Sequence, residues 1–248
     1  MPHNATSLKT LEQPVPKQAV LPIYAVTPFT MLDFPHKTAC IVWFAGCNMR
    51  CPYCHNPQIV RGKGRGDVAA VMAFLKKRQG LLDGVVLSGG EATSYSALPD
   101  FIRTLKSLGY AIKLDTNGLR PSVIAALLNA KLLDYIALDY KSPPEKFKMV
   151  TGVNTFDAFS KTLGLLCAQK DVPFEIRTTV HTNLLDETDI TNIINDLDRR
   201  NYRGTYFVQN FTSTSSGLTL GVLPSQARIL KYSKLPSPQN FSLSFRNF

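Results

Sequence analysis

The sequence is poor in cysteine and has no long apolar run. It contains five cysteines in 248 residues. An odd number, mostly clustered in one stretch, argues against a secreted disulfide framework and for metal binding or catalysis in a reducing compartment. Nowhere do about 18 apolar residues follow one another, so no transmembrane helix is predicted. The first 20 residues also lack the apolar run of a signal peptide. We therefore expect a cytoplasmic protein with no membrane partner.

Acidic residues are scarce at both ends of the chain. Residues 1–66 hold seven Lys or Arg against two acids, and residues 199–248 hold seven against none, whereas residues 67–198 hold fourteen against sixteen. Basic ends could face nucleic acid or an acidic protein surface, or could simply be solvated. No RNA-binding motif accompanies the aromatic residues of the basic end, so nucleic acid is not expected as a partner.

Short apolar strands alternate with amphipathic helices along the chain. Six strands are predicted, at residues 38–44, 84–89, 111–116, 134–140, 173–181 and 204–211. This α/β alternation predicts right-handed βαβ units and a parallel sheet, either open and doubly wound or closed partway into a (β/α) barrel. We expect a flexible leader over residues 1–20, one core domain over 21–211, and a C-terminal extension over 212–248 that packs on the core. Within the extension, FSLSF indicates an edge strand.

Three cysteines lie in the loop after the first predicted strand, as Cys47, Cys51 and Cys54 in CxxxCxxC. Thiolates are soft ligands that suit zinc or an iron-sulfur cluster. A structural zinc site needs four ligands, and His55, next to Cys54, is sterically awkward as the fourth. A [4Fe-4S] cluster held by three cysteines leaves one iron open to a substrate or cofactor. The spacing favours the cluster.

The segment SGGE, residues 88–91, ends the second strand. Its two glycines allow a ligand to approach the backbone closely, and the Glu91 carboxylate can accept hydrogen bonds from an ammonium group. Taken alone, the segment is more consistent with an ordinary Gly-Gly turn and an exposed Glu.

Further polar residues occur at the ends of later strands. Ligands of parallel α/β folds bind beyond the carboxyl ends of the strands. The residues in or just after the third, fourth and fifth strands that meet this rule are Asp115, Thr116, Asn117, Asp139, Lys141, Arg177 and His181. Each has an ordinary alternative as a turn or solvated residue. Their occurrence at successive strand ends predicts one ligand-binding rim.

With these motifs the sequence resembles the radical S-adenosylmethionine (SAM) enzymes. The resemblance rests on CxxxCxxC with the aromatic Tyr53 before the third cysteine, and on GGE at the end of strand two. Within that superfamily, the segments around CNMRCPYCHNP, LSGGE, KLDTNG and DYIALDYK are similar to the activating proteins of anaerobic ribonucleoside-triphosphate reductase. CxxCHN, DTNG and DxK are also similar to the pyruvate formate-lyase-activating enzymes. Both groups are glycyl-radical-enzyme activases.

The resemblance implies an incomplete (β/α)6 TIM-like barrel of the radical SAM type. It implies a [4Fe-4S] cluster on Cys47, Cys51 and Cys54, whose fourth iron is bound by SAM and which cleaves SAM reductively. The implied cofactor-binding residues are Tyr53, Gly89, Gly90, Glu91, Asp115, Thr116, Asn117, Asp139, Lys141, Arg177 and His181. Some activases hold a monovalent cation, and the resemblance to them implies one beside Asp115, Thr116 and Asp139. The implied partners are a glycyl-radical enzyme, anaerobic ribonucleotide reductase first, and a low-potential electron donor such as flavodoxin or ferredoxin.

Two departures from the family pattern bear on substrate choice. Ala92 stands where relatives usually have proline, and VHTNLLDE, residues 180–187, replaces a Val-Pro-Gly turn. The basic ends of the chain keep a radical SAM enzyme acting on a small molecule or a tRNA-base precursor as the alternative, and a zinc-binding interaction module is a third. The two remaining cysteines, Cys40 and Cys167, are expected to be small buried hydrophobes.

Overall fold

A computed structural model describes residues 21–64, 66–212 and 219–248. It has eight strands, β1 to β8: Ile23–Thr30, Ala39–Phe44, Gly84–Gly89, Ala111–Thr116, Tyr135–Asp139, Phe174–Val180, Thr205–Asn210 and Ser242–Arg246. Seven α-helices, α1 to α7, span Pro57–Arg61, Val68–Lys77, Leu98–Ser107, Pro121–Asn129, Pro144–Thr151, Phe156–Ala168 and Glu187–Arg199. Two 3-10 turns are at Ala92–Ser94 and Tyr232–Lys234. The predicted leader, residues 1–20, lies outside the described residues.

The strands form one sheet in the order β1 to β8, in which β1 is antiparallel to β2 and every later neighbour is parallel. Strands β1 and β8 are its two edges, and in the described part of the chain they do not pair with each other. The sheet is thus open, and the predicted α/β fold with an incomplete barrel is confirmed.

All six predicted strands are present, and FSLSF supplies β8. Strand β1 was not predicted, because it contains Pro28 and leaves most of its residues partly or fully exposed. Proline is tolerated there because an edge strand leaves one row of N–H groups unpaired. The short helix α1 between the cysteines and α2 was also missed.

The core lies in two places. A large apolar layer fills the space between the outer face of the sheet and the helices. Inside the curved sheet, a small cluster of Phe34, Ala39, Ile41 and Val86 is packed at one end, with Tyr135 against it. Above that cluster the interior is polar: Lys113 and Asp115 alternate inward on β4, as do Glu175 and Arg177 on β6. This polar layer underlies the carboxyl ends of the strands.

No helix in the described residues is long and apolar enough to cross a membrane.

Candidate functional site

The cysteine loop follows β2 and is anchored at two points. The backbone N–H of Arg50 donates to the Thr151 carbonyl at the end of α5 over 2.7 Å. On the other side, the N–H of Leu220 donates to the Cys54 carbonyl over 3.0 Å. Within the loop, the N–H of Met49 donates to Cys47 Sγ over 3.4 Å. The backbone thereby holds three cysteines in one loop between α5 and the C-terminal extension.

The three thiols lie close enough to influence one another electrostatically. Burial raises the pKa of the Cys47 thiol, and it raises the pKa of Cys51 to about 11, against the opposing charge of Lys141. Soft sulfur ligands at this spacing suit an iron-sulfur cluster, which needs thiolates. In the described residues no three His, Cys, Asp or Glu side chains are grouped tightly enough to hold a single metal ion. Three thiols in one loop are a donor set that fits a cluster with three protein ligands.

Gly89 and Gly90 bring the end of β3 against the start of the cysteine loop. The N–H of Gly90 donates to the Phe44 carbonyl over 2.8 Å, and the N–H of Glu91 donates to the Gly46 carbonyl over 2.9 Å. A Cβ on Gly90 would lie 1.7 Å from Gly46 O, and Gly89 has a φ of +116° with its Cβ position 2.5 Å from the backbone of Phe44. Both glycines are required for this contact, and their backbone edges the cavity next to the thiols.

The Glu91 side chain is buried beneath the cavity rather than in its wall. Its Oε1 accepts from Thr93 Oγ1 at 2.5 Å and from Thr116 Oγ1 at 2.9 Å, and its Oε2 accepts from the Asn117 N–H at 2.8 Å. Burial raises its pKa, while these hydrogen bonds oppose the rise. The sequence prediction had this carboxylate taking an ammonium directly. Here the carboxylate instead connects the end of β3 to the end of β4 through hydrogen bonds, and it lies beneath the cavity.

Two inward-facing carboxylates are held by three cations. Asp115 Oδ1 accepts from Lys113 Nζ at 2.6 Å, and Asp115 Oδ2 lies 3.6 Å from Arg177 Nη1. Asp139 accepts from Arg177 Nε and from Lys141 Nζ, each at 3.0 Å. Burial alone would raise the pKa of Asp139, but the charges of Arg177 and Lys141 lower it to about 2. Asp139 is therefore charged at neutral pH, and the ion pairs join the five side chains into one ionic layer under the cavity.

A cavity of about 340 Å³ connects the cysteine loop with the strand ends. Of the fourteen predicted site residues, twelve line it: Cys47, Cys51, Tyr53, Cys54, Gly89, Gly90, Asp115, Thr116, Asn117, Asp139, Lys141 and Arg177. Two wall residues, Tyr53 and His55, each have a buried polar atom, Oη and Nε2, with no hydrogen-bond partner among the described residues. Such orphaned atoms beside a cavity fit a bound polar ligand. A larger surface groove by α5 and α7 carries none of the predicted residues.

His181 is placed differently from the prediction. Its ring is 1% exposed, packs 4.9 Å from the Phe211 ring and hydrogen-bonds through Nε2 to the Pro224 carbonyl at 3.1 Å. It does not line the cavity. The physical reason is that residues 219–231, here called the strap, run between the cysteine loop and the end of β6, and His181 contacts this strap.

Sequence reasoning did not assign several residues that line the cavity, among them Asp33, Trp43 and Ser88, and it missed Lys113, which supports the cavity through Asp115. Ser88 Oγ donates to Asp115 over 3.1 Å, and Lys113 is 2% exposed. The signal for Lys113 was available, since a lysine inside the apolar strand AIKLDT needs a buried partner, and Asp115 lies two residues on, on the same face. Asp33 and Trp43 had no such signal, because the strand pairing that brings them there was not predicted.

The residues fit a cluster and SAM better than they fit a monovalent cation. The thiols, the glycine backbone and the orphaned Tyr53 and His55 atoms leave donor and acceptor groups for a bound cofactor. The carboxylates of Asp115 and Asp139, which the resemblance assigns to a monovalent cation, already have cationic partners.

Comparison with known proteins agrees with this geometry. Residues 41–197 match the model of the radical SAM superfamily. A protein of Methanocaldococcus jannaschii described as "Putative glycyl-radical enzyme activating enzyme" is 31% identical over 234 residues, which cover 89% of this chain and 88% of that protein. The pyruvate formate-lyase-activating enzyme of Clostridium pasteurianum is 29% identical over 151 residues, covering 57% of this chain and 62% of that one.

Among solved structures, Streptococcus suis SuiB bound to S-adenosylmethionine superposes with a TM-score of 0.59 at 13% identity. The match covers 84% of this chain and 52% of SuiB. At this level of identity the likeness shows the fold alone.

Proposed function

The chain belongs to the radical SAM superfamily, and from that premise we propose that it is an activase that forms a glycyl radical on a partner enzyme. The members of this superfamily use a [4Fe-4S] cluster and SAM, and the chain is a radical SAM enzyme. The observation that carries the proposal is the similarity to the M. jannaschii activating enzyme over nearly the whole length of both chains. Anaerobic ribonucleoside-triphosphate reductase is the partner we propose first, because the motifs quoted above resemble its activating proteins.

The bound cofactors would supply one-electron cleavage of the S–C5′ bond of SAM and abstraction of a hydrogen atom. The chain's own contribution is binding and orientation. Cys47, Cys51 and Cys54 hold the cluster, and the backbone of Gly89 and Gly90 accepts the methionine ammonium group. The buried charge of Glu91 favours that cationic group from beneath the cavity.

The lower wall of the cavity orients the rest of SAM in this proposal. Lys141 Nζ, which pairs with Asp139, would bind the methionine carboxylate, and Thr116 and Asn117 lie at the rim of the same cavity. Tyr53 Oη and His55 Nε2 have no partner in the described residues and would hydrogen-bond polar atoms of the nucleoside. Phe211, 4.8 Å from the His55 ring, helps to exclude water from that side.

The open sheet supports a macromolecular substrate. A glycine in a protein backbone can reach the cavity only if a loop of the partner enters the barrel, and the gap between the edges β1 and β8 provides the room. Asp33 and Trp43 come to the cavity from the β1–β2 side. We propose that the partner loop enters past these residues.

An external one-electron donor completes the proposal. Flavodoxin or ferredoxin is the class of donor we propose, because the chain itself carries too few cysteines for a second four-cysteine cluster. Thiolate ligands and a reduced cluster persist in a reducing compartment, so we propose the cytoplasm as the place of action.

The test is an anaerobic activation assay. The protein is reconstituted with iron and sulfide, then mixed with SAM, a chemical reductant and the large subunit of an anaerobic ribonucleotide reductase. We expect the doublet of a glycyl radical by electron paramagnetic resonance, formed together with methionine and 5′-deoxyadenosine. A partner whose radical-forming glycine is replaced by alanine is the control and should give no doublet.

Two results would contradict the proposal. One is the absence of a glycyl radical on this reductase and on pyruvate formate-lyase while SAM is cleaved. The other is rapid, coupled turnover of a small molecule or a tRNA-base precursor without any protein partner, which would establish the alternative activity.

A further inference from the structure

The ionic layer beneath the cavity is formed by Lys113, Asp115, Asp139, Lys141 and Arg177. The resemblance to some activases implies a monovalent cation beside Asp115, Thr116 and Asp139. A cation site needs several oxygen ligands that are free to turn toward the ion. The state of those oxygens in this chain decides whether such an ion has a place.

All four carboxylate oxygens already have partners. In Asp115, Oδ1 accepts from Lys113 Nζ at 2.6 Å and Oδ2 from Ser88 Oγ at 3.1 Å. In Asp139, Oδ1 accepts from Arg177 Nε and Oδ2 from Lys141 Nζ, each at 3.0 Å. A metal ion could use only the remaining lone pair of each oxygen, and at three of the four oxygens it would share the oxygen with a cationic side chain.

The threonine hydroxyl is engaged as well. Thr116 Oγ1 donates to Glu91 Oε1 at 2.9 Å and accepts from the Gly118 N–H at 3.1 Å. Its hydroxyl is therefore committed to the β3–β4 connection beneath the cavity.

The charge balance points the same way. Lys113, Arg177 and Lys141 face Asp115 and Asp139, and the buried carboxylate of Glu91 lies beneath the same cavity. A further carboxylate, Glu175, lies 3.8 Å from Arg177 and is approached from the other side by Arg246 at 3.9 Å. The four cationic and four anionic side chains are equal in number, so the layer needs no further cation for charge neutrality.

We propose that Lys113 and Arg177 are built-in counter-cations of this site, so that the chain binds SAM without a monovalent metal ion. The proposal depends most on Lys113. Its side chain is 2% exposed and its ammonium pairs with Asp115, whereas Lys141 pairs with Asp139. It acts as a positioning residue: it fixes Asp115 and the charge of the layer on which SAM rests. The inference rests on the proposed position of SAM and holds whichever partner receives the radical.

The primary test needs no variant. SAM binding to the anaerobically reconstituted protein is measured by calorimetry in tetramethylammonium chloride, sodium chloride and potassium chloride at one ionic strength. We expect the dissociation constant to differ by less than about twofold among the three salts, since the counter-charge is supplied by side chains. A loss of about tenfold or more in tetramethylammonium relative to potassium would overturn the proposal.

In the Lys113→Met variant, SAM binding should depend on the monovalent cation of the salt, which it should not do in the wild type. Asp115 then loses its nearest cation, so SAM binding should weaken by about tenfold in tetramethylammonium and recover largely in potassium. The thermal midpoint of the variant should likewise rise with potassium, whereas that of the wild type should not. The double variant Lys113→Met with Asp115→Asn removes both charges and should again be indifferent to the salt.

Matched variants separate this role from general destabilisation. Lys106→Met removes a lysine of α3 that pairs with Asp134 at 2.8 Å outside the barrel, and it should leave SAM binding independent of the salt. Lys113→Arg keeps the charge and should behave like the wild type. If Lys113→Met binds SAM equally in all salts, Lys113 is not a counter-cation. If neither the wild type nor any variant binds SAM in any salt, the proposed cofactor site is wrong. This result is distinguishable from failure of the counter-cation proposal, in which SAM still binds.

Discussion

Gly90→Ala is the substitution that tests the contact between β3 and the cysteine loop most directly. The new Cβ would lie 1.7 Å from Gly46 O and 2.4 Å from Gly46 C. Carbon makes ordinary contacts at roughly 3.5 Å, so the two backbones must separate by an amount that breaks both hydrogen bonds between them. Those bonds, Gly90 N to Phe44 O and Glu91 N to Gly46 O, are 2.8 and 2.9 Å long.

The magnitude follows from these two bonds. A buried backbone donor left without an acceptor costs about 1–3 kcal/mol, so for the two donors we expect the free energy of unfolding to fall by about 2–6 kcal/mol. Because Gly46 directly precedes Cys47, the same shift displaces a cluster ligand, and the iron content after reconstitution should fall with it.

The assay is urea unfolding followed by circular dichroism, together with iron and sulfide analysis. Gly164→Ala is the matched control: it lies within α6, its Cβ would meet nothing nearer than Arg200 Nη1 at 3.7 Å, and alanine should stabilise the helix by up to about 1 kcal/mol. A Gly90→Ala protein with wild-type stability and full iron content would refute the reasoning.

Three further predictions follow from single contacts. Cys51→Ala should lose the cluster, measured as iron and sulfide per chain, whereas Cys167→Ser, outside the cysteine loop, should retain it; equal iron in both would contradict the ligand assignment. Glu91→Ala leaves Thr93, Thr116 and the Asn117 N–H without their common acceptor and should lower the free energy of unfolding, measured in urea, by about 2–4 kcal/mol; wild-type stability would contradict this. Hydrogen bonds from Arg228 lower the pKa of Glu187 from 4.5 to about 2, so its stabilising effect is present above pH 4.5 and is lost as the pH falls toward 2. Glu187→Gln should therefore be less stable than the wild type at pH 7, with a difference in unfolding free energy that narrows below pH 4; a constant difference would contradict this.

Sequence alone placed most of the site because its residues obey a general rule. Apolar runs of strand length located β2 to β7, and ligand groups of parallel folds follow the carboxyl ends of such strands. Asp115, Asp139 and Arg177 were predicted to share a rim, and the structure brings their side chains into direct ionic contact. This rule requires only the local sequence pattern of each strand and the common direction of the strands in the sheet.

The remaining features depend on contacts between distant segments. Glu91 was predicted to face the ligand, but whether its carboxylate points into the cavity or beneath it is decided by donors on β4, 25 and 26 residues away. Strand β1 was missed because its pattern is only half buried, and with it the approach of Asp33 to the cavity was missed. Neither feature has a local signature in the sequence.

Residues 180–187, which depart from the family pattern, bond to the strap in the C-terminal extension. His181 bonds the Pro224 carbonyl, the Thr182 N–H donates to Gln226 Oε1 at 2.8 Å, and Glu187 pairs with Arg228 at 2.7 Å. A tight turn at this place would offer none of these groups to the strap.

The other end of the strap bonds the cysteine loop, through the N–H groups of Leu220 and Gly221, which donate to the carbonyls of Cys54 and Pro52 at 3.0 Å. Residues that differ from the family pattern at the end of β6 thus hold in place the loop that carries the cluster ligands. The strap also passes over the side of the cavity next to His55 and Phe211, where the nucleoside is proposed to lie. Residues 180–187 and the strap therefore form one connected support for the cysteine loop. We expect any effect of this support on substrate choice to be indirect, through the shape of the rim that a partner loop must cross.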